Sequence, residues 1–410
     1  MKTMKLTMIA SALLSSSAAL AQITAITNAT IHTASDKGVL EGATVVIEDG
    51  KIKAINPENV SADTTIDGSG KVITPGFIGT MNQLGLVEVG AVAASRDAGD
   101  DDAGVDFDTS SAFNPRSSLI AYARKGGITQ NLVTPWGGKS EFAGLGFVAD
   151  LSGDFGSVTD KHTALVVKLG AKSKGSRAKA LDNVVNKLTA HQQKLDKAED
   201  KEKDSKPSNE EQVLSAVLAG EMPVVVWVSR ASDILEVIKL KQQFGLDLII
   251  AGADDAVVVA DELAAAEVPV IISAVSNLPT SFDSLHAHLE NAGKLEAAGV
   301  NVILSIGGDA SHNLYQLRFD AGIAVANGMS YEGAIKAITA TPAKVFGIDG
   351  GVIAAGKRAD LVMWSADPFE YSTSIDKIWI EGEEVTTESR HDKLRERYTT
   401  DSDMPRAYTK

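Results

Sequence analysis

The chain has 410 residues, 44% hydrophobic and 23% charged, a composition that suits a soluble globular protein with one large α/β domain and a smaller companion. Its formal charge of −15 argues against nucleic acid or an anionic membrane surface as partner. The absence of cysteine excludes disulfides, thiolate metal sites and a cysteine nucleophile.

Lys2 and Lys5 precede the apolar run from Leu6 to Leu20, and Ala19-Leu20-Ala21 places small residues before Gln22. Residues 1–21 therefore read as a secretory signal peptide, and the expected location is the periplasm. Three serines, Ser15 to Ser17, interrupt a run already short for a membrane anchor. Cleavage would remove two lysines and no acids, taking the formal charge from −15 to −17.

Alternation of apolar and polar residues from Ile23 to Thr33 predicts a strand, and Val45 to Ile55 predicts two more around the Asp49-Gly50 turn. Lys71 to Thr74 predicts another. So few strands cannot bury a core alone. Pro75-Gly76 then turns the chain into Phe77-Ile78-Gly79-Thr80-Met81-Asn82-Gln83, where strict alternation would put Phe77, Gly79, Met81 and Gln83 on one face. The loop Arg96 to Asp108 carries six aspartates without the regular spacing of a calcium loop, so a solvated loop is expected. Ile128 to Pro135 predicts a strand closed by a Trp136-Gly137-Gly138 turn, and His162 to Leu169 another strand. Leu181, Val184, Val185 and Leu188 share a helix face, and Lys194 to Glu211 is a charged excursion.

From Pro223 onward, apolar strands alternate with amphipathic helices: strand 224–228, helix 231–244, strand 247–250, helix 255–266, strand 268–273, strand 302–306 and a helix beyond Ser311. Near-continuous apolar strands imply a parallel sheet covered by helices, and the number of units favours a (β/α)8 TIM-like barrel. Functional groups in that architecture sit at strand C-termini. His286 and His288 are expected in a helical stretch, where residues two apart cannot share one ion.

The Pro75-Gly76-Phe77-Ile78 frame with Gly85, and the run Pro223 to Ile234 with Arg230-Ala231-Ser232-Asp233-Ile234, resemble the amidohydrolase superfamily, specifically its imidazolonepropionase-like branch. The tail Gly356-Lys357-Arg358-Ala359-Asp360-Leu361-Val362 and Asp367-Pro368 is similar as well. The resemblance implies that residues 22–74 and 346–386 form a composite β-sandwich, with the barrel at 75–345 and a C-terminal tail at 387–410. Lys357 and Asp360 are expected to support that fold rather than chemistry. By family, the activity would be hydrolysis of carbon–nitrogen bonds in a cyclic amide, dipeptide or related small molecule, using zinc or another divalent metal.

In that family paired histidines end the first barrel strand, and further histidines end two later strands. Here those positions carry Met81 and Gln83, then Trp227 and Ser229, then Gly252, while the family's first-strand aspartate falls on Gly79. Asp309 matches the family aspartate that binds metal and moves protons, and Lys168 has the position of a bridging residue. One aspartate cannot bring a bound water to a pKa near ~7, so no metal or other cofactor is expected. The resemblance thus implies a degenerate, metal-free member acting as a binding or partner subunit. Its partners would be a small molecule, a related intact amidohydrolase or a second copy. The alternative is an active hydrolase with an atypical site around Asp309, His312 being close enough to share the barrel mouth.

Overall fold

A computed structural model of the protein describes residues 22–173, 175–198, 206–307 and 310–400. The expected signal segment and Asp309 lie outside those residues. Near the N-terminus run β1 (Thr24–His32), β2 (Val39–Glu48), β3 (Lys51–Ile55), β4 (Thr64–Asp67) and β5 (Val72–Pro75). Asp49 and Gly50 both have positive φ, 51° and 73°, and join β2 to β3 with Glu48 opposite Lys51. A two-residue hairpin needs that geometry, because its twist then matches the strands.

The barrel follows as β6 (Phe77–Asn82), β7 (Ile128–Val133), β8 (Phe142–Asp150), β9 (Val158–Lys168), β10 (Val224–Val228), β11 (Leu248–Gly252), β12 (Val270–Ile272) and β13 (Val302–Leu304). These eight strands form one sheet in sequence order, rolled into a nearly closed barrel. Leu132, Val166, Val225, Ile249, Ile271 and Ile303 fill its interior with Met81. The alternate positions Leu165, Val167, Val224, Val226, Leu248 and Ile250 pack outward against the helices. Both faces of the strands from β10 to β13 are buried over nearly their whole length, which is why these strands read as unbroken apolar runs. Each such side chain contributes on the order of 1.5–3 kcal/mol.

The fold class is that expected, with one local difference. β8 runs antiparallel to β7 and β9, while the other neighbouring strands are parallel. Residues 134–141 and 151–157 are too few for parallel crossovers, which need about a dozen residues. The seam between β13 and β6 is bridged by the Ser305 hydroxyl, which donates to the Thr80 carbonyl at 2.6 Å.

Near the C-terminus, β14 (Leu361–Trp364), β15 (Ile375–Ile380) and β16 (Glu383–Glu384) return to the first strands. One sheet has the order β16-β15-β14-β5-β1-β2-β3, with β4 on β1. Trp364 stacks on Phe77 at 5.4 Å and donates from Nε1 to Thr74 Oγ1 at 2.9 Å, fastening this sheet to the barrel entrance. Arg358 ties the two sheets by bridging Asp150 and Asp360, each at 2.9 Å. Burial pushes the Asp360 carboxyl up to about 6, against the pull of Arg358. Both the residue and its ion pair are architectural, lying away from the barrel mouth.

Two helical expectations shift. His286 and His288 fall in irregular chain ahead of the helix Asn291–Ala297, and residues 256–265 divide into a 3₁₀ turn, Ala256–Val259, and a short helix, Ala260–Ala265. No helix among the described residues is long and apolar enough to cross a membrane.

Candidate functional site

At the end of the barrel where the parallel strands terminate lies a cavity of about 1010 Å³. Met81, Gln83, Trp227, Ser229 and Gly252, from three strand ends, all line it. His312 is exposed and is not among the lining residues, and His286 is held against Asp255 at 3.1 Å outside the cavity.

Met81 reaches the cavity by a route that alternation alone does not give. The β6–β7 pairing steps from Gly79 opposite Asn131 to Asn82 opposite Val133, three positions on one strand against two on the other. This bulge holds Met81 at φ 56°, a conformation that costs a side-chain-bearing residue roughly 1–2 kcal/mol. Beneath it, Asn82 and Asn131 exchange amide hydrogen bonds at 2.7 and 3.0 Å while fully buried. A Cβ at Gly79 would lie 2.3 Å from Asn131 Oδ1, so this amide pair occupies the room that an aspartate at position 79 would need.

Trp227 dominates the mouth. A Cβ at Gly252 would fall 2.9 Å from its indole Nε1, and one at Gly307 would fall 3.2 Å from its Cη2. Gly252 also has φ 86°, which disfavours any side chain there. The indole thus spans the mouth between two glycines, filling the space that an imidazole at 252 would enter. Lys172, from the 3₁₀ turn after β9, places its ammonium 5.4 Å from the Trp227 ring and 5.7 Å from the Trp136 ring. Each contact is within cation–π range. Lys168 lies beside the same group, lining a small pocket with Met81, Gln83 and Trp227, and donates to the Trp136 carbonyl at 2.9 Å.

The Trp136-Gly137-Gly138 turn receives the backbone of the acidic loop, while Trp136 and Gly137 themselves line the cavity. A Cβ at Gly138 would meet the Asp100 carbonyl at 1.9 Å, and one at Gly99 would meet the Gly137 carbonyl at 2.5 Å. These glycines let the acidic loop lie on the turn, which brings Arg96, Asp100 and Asp101 to the cavity rim. The rest of that loop's aspartates are exposed or half-buried.

Among the described residues, two further carboxylates bring charge to the cavity. Burial pushes the Asp254 carboxyl up, opposed by the Ser229 hydroxyl and Lys172. Asp320, in the helix Leu317–Ala326, is 7% exposed, and burial alone raises its carboxyl to about 6. Behind the rim, Arg177 grips Asp283 through Nη2 at 2.7 and 2.8 Å and Asp233 through Nη1 at 2.6 Å, and Arg230 also donates to Asp233 at 2.6 Å. Arg177, anchored by Asp233 of the Arg-Ala-Ser-Asp-Ile segment, is therefore a clasp that fastens the loop 273–290 to the barrel.

These donors do not suit a divalent metal. The five strand-end positions offer a thioether, an amide, an indole, a hydroxyl and a glycine, whereas a catalytic zinc takes three ligands from imidazole, carboxylate or thiolate. Among the described residues, no group of three or more histidines and carboxylates is arranged to hold an ion. What the arrangement can do is bind a molecule by stacking on indoles and by hydrogen bonding to amides, hydroxyls and charged groups. Sequence reasoning did not single out Lys172, Asp254, Asn313, Gln316 or Asp320 as site residues. The spacing of the last three on one helical face was the signal available.

Residues 185–385 match the model of the amidohydrolase family. An amidohydrolase from Thermotoga maritima is similar in structure over 88% of this chain and 99% of its own, with a TM-score of 0.80 and 25% identity. An adenosine deaminase from Xanthomonas campestris with bound zinc (TM-score 0.55, 17% identity, 92% of this chain and 99% of that one) shares the fold. So does a Xaa-Pro dipeptidase with methionine in its active site (0.56, 16%, 88% and 99%). No curated protein sequence matches.

Proposed function

Because the chain carries an amidohydrolase-family domain over residues 185–385, we propose that it is a derived member whose barrel mouth binds a small molecule without a metal-activated water. The observation that carries this reading is Trp227. Its indole stands at a strand end where the family resemblance calls for a metal ligand, lies against Gly252 and Gly307, and still leaves a cavity of about 1010 Å³ in front of it. Pockets of that size take compounds of metabolite or dipeptide size. The protein is exported by residues 1–21 and works in the periplasm.

Thermal-shift measurements with dipeptides and hydantoin-like rings test the reading: a compound at 100 times its Kd should stabilise the protein by about 2.7 kcal/mol. No stabilisation across the panel would overturn it. Elemental analysis of protein purified with zinc present is expected to find less than one ion per chain. A tightly held ion would mean that residues outside the described set complete a centre, and would overturn the metal-free reading.

A second reading concerns association with a related intact amidohydrolase or with a second copy. It rests on the rim loops, where Leu278 and Phe282 are 73% and 89% exposed beside Val275, a cavity-lining residue that is itself exposed. Such side chains on a cavity rim are a common mark of an interaction surface. Purification from the native host should recover that partner, or light scattering should find a dimer. A monomer recovered alone would sink this second reading.

A further inference from the structure

After β13 the chain forms a 3₁₀ turn, Ala310–Gln316, and then the helix Leu317–Ala326. Leu314, Leu317, Ala321 and Ala324 are fully buried in the core. Asn313, Gln316 and Asp320 instead line the cavity. Their spacing of three and four residues puts them on one face, so this element presents a polar stripe to the mouth.

Within the stripe Asp320 is more than nine-tenths buried, yet no described residue donates a hydrogen bond or an ion pair to its carboxylate. The arginine two positions earlier faces away, giving its guanidinium to the carbonyls of Pro368, Glu370 and Thr373. A buried carboxylate without donors is unfavourable unless a partner arrives. The cavity is the direction from which one can come.

Position in the sheet supplies the complement. Lys172 follows β9 and Asp320 follows β13, strands four apart in a barrel of eight, so the two groups reach the mouth from opposite sides. Arg96, Asp100, Asp101 and Asp254 are the other charged groups among the described residues that line it.

Resting on the reading of this cavity as a ligand site, we propose that the ligand is zwitterionic. Asp320, flanked by Gln316 and Asn313, accepts hydrogen bonds from its cationic nitrogen, and Lys172 faces its anionic end. Charge-assisted hydrogen bonds of this kind are about twice as strong as neutral ones.

Titration calorimetry with glycyl-L-leucine, its N-acetyl derivative and its C-terminal amide tests the proposal. With wild-type protein, acetylation of the amine should weaken binding about tenfold or more, as should amidation of the carboxylate. Asp320→Asn should lose a similar factor for glycyl-L-leucine and little for the acetylated form. Lys172→Met should show the converse, with little loss for the amide. Equal wild-type affinity for the free and acetylated dipeptides, or unchanged affinity in Asp320→Asn, would overturn the assignment. If hydantoin-like rings bind and none of these dipeptides does, the zwitterion inference fails while the cavity reading stands; if nothing binds, both fail. The acetylation comparison uses wild-type protein throughout, so it does not depend on the folding of a variant.

Discussion

Asp320 makes a quantitative statement about stability that needs no ligand. Its carboxyl is raised from the ordinary 3.8 to about 6 by burial alone. At about 1.4 kcal/mol per tenfold change in proton affinity, the ionised form costs the folded protein on the order of 3 kcal/mol. A raised folded-state pKa means that the folded chain holds the proton more tightly than the unfolded chain does. This contribution is therefore fully present below pH 3.8 and is lost as pH rises to about 6. Asp320→Asn is nearly isosteric with the protonated acid and cannot ionise. It should match wild type at pH 4 and exceed it by up to about 3 kcal/mol at pH 8, which for a chain of this length is roughly 5 °C in Tm. Thermal unfolding followed by circular dichroism at the two pH values, for both proteins, gives the difference directly. A substitution effect equal at pH 4 and pH 8 would refute the reasoning, because it would mean that the carboxylate is not desolvated in the folded state.

Other consequences concern the packing that shapes the mouth. Gly252→Ala should destabilise by about 2 kcal/mol, since it adds a Cβ at left-handed φ against the Trp227 indole. Adding Trp227→Ala should recover the steric part and leave the backbone part, a coupling that a double-mutant cycle with urea unfolding will measure. Asn82→Leu should cost about 1–3 kcal/mol by stranding the buried amide of Asn131. The double variant Asn82→Leu/Asn131→Leu should cost less than the sum of the two single changes in the same assay. Arg177→Met should lower stability by about 2 kcal/mol, a figure reduced for its partial exposure, and limited proteolysis should then cut first within 273–290. Cleavage elsewhere would show that the clasp does not hold that loop.

The architecture was largely legible in the residues. Continuous apolar strands from Val224 onward, separated by helices, predicted the barrel, and the Asp49-Gly50 hairpin appeared where its positive-φ requirement placed it. Period-two spacing brought Met81 and Gln83 to the cavity, although through a bulge that regular alternation does not contain. β8 was not anticipated at all. Its buried, glycine-containing run carries no sign of direction, and only the short connections on either side make it antiparallel.

Residue identity by itself determined what the strand ends offer chemically: Met81, Gln83, Trp227, Ser229 and Gly252 are poor company for a divalent ion in any fold. It also determined that local periodicities would build strands and helices, because those depend on neighbours a few positions away. Only the tertiary structure decided that the indole of Trp227 lies against Gly252 and Gly307, that Arg177 clasps Asp283 across 106 positions, and that Asp320 faces the mouth with no donor among the described residues while Arg318 turns to the C-terminal segment. Whether a side chain is buried, paired or exposed to a cavity depends on atoms that sequence distance does not reveal, and burial rather than identity is what raised the Asp320 carboxyl to about 6.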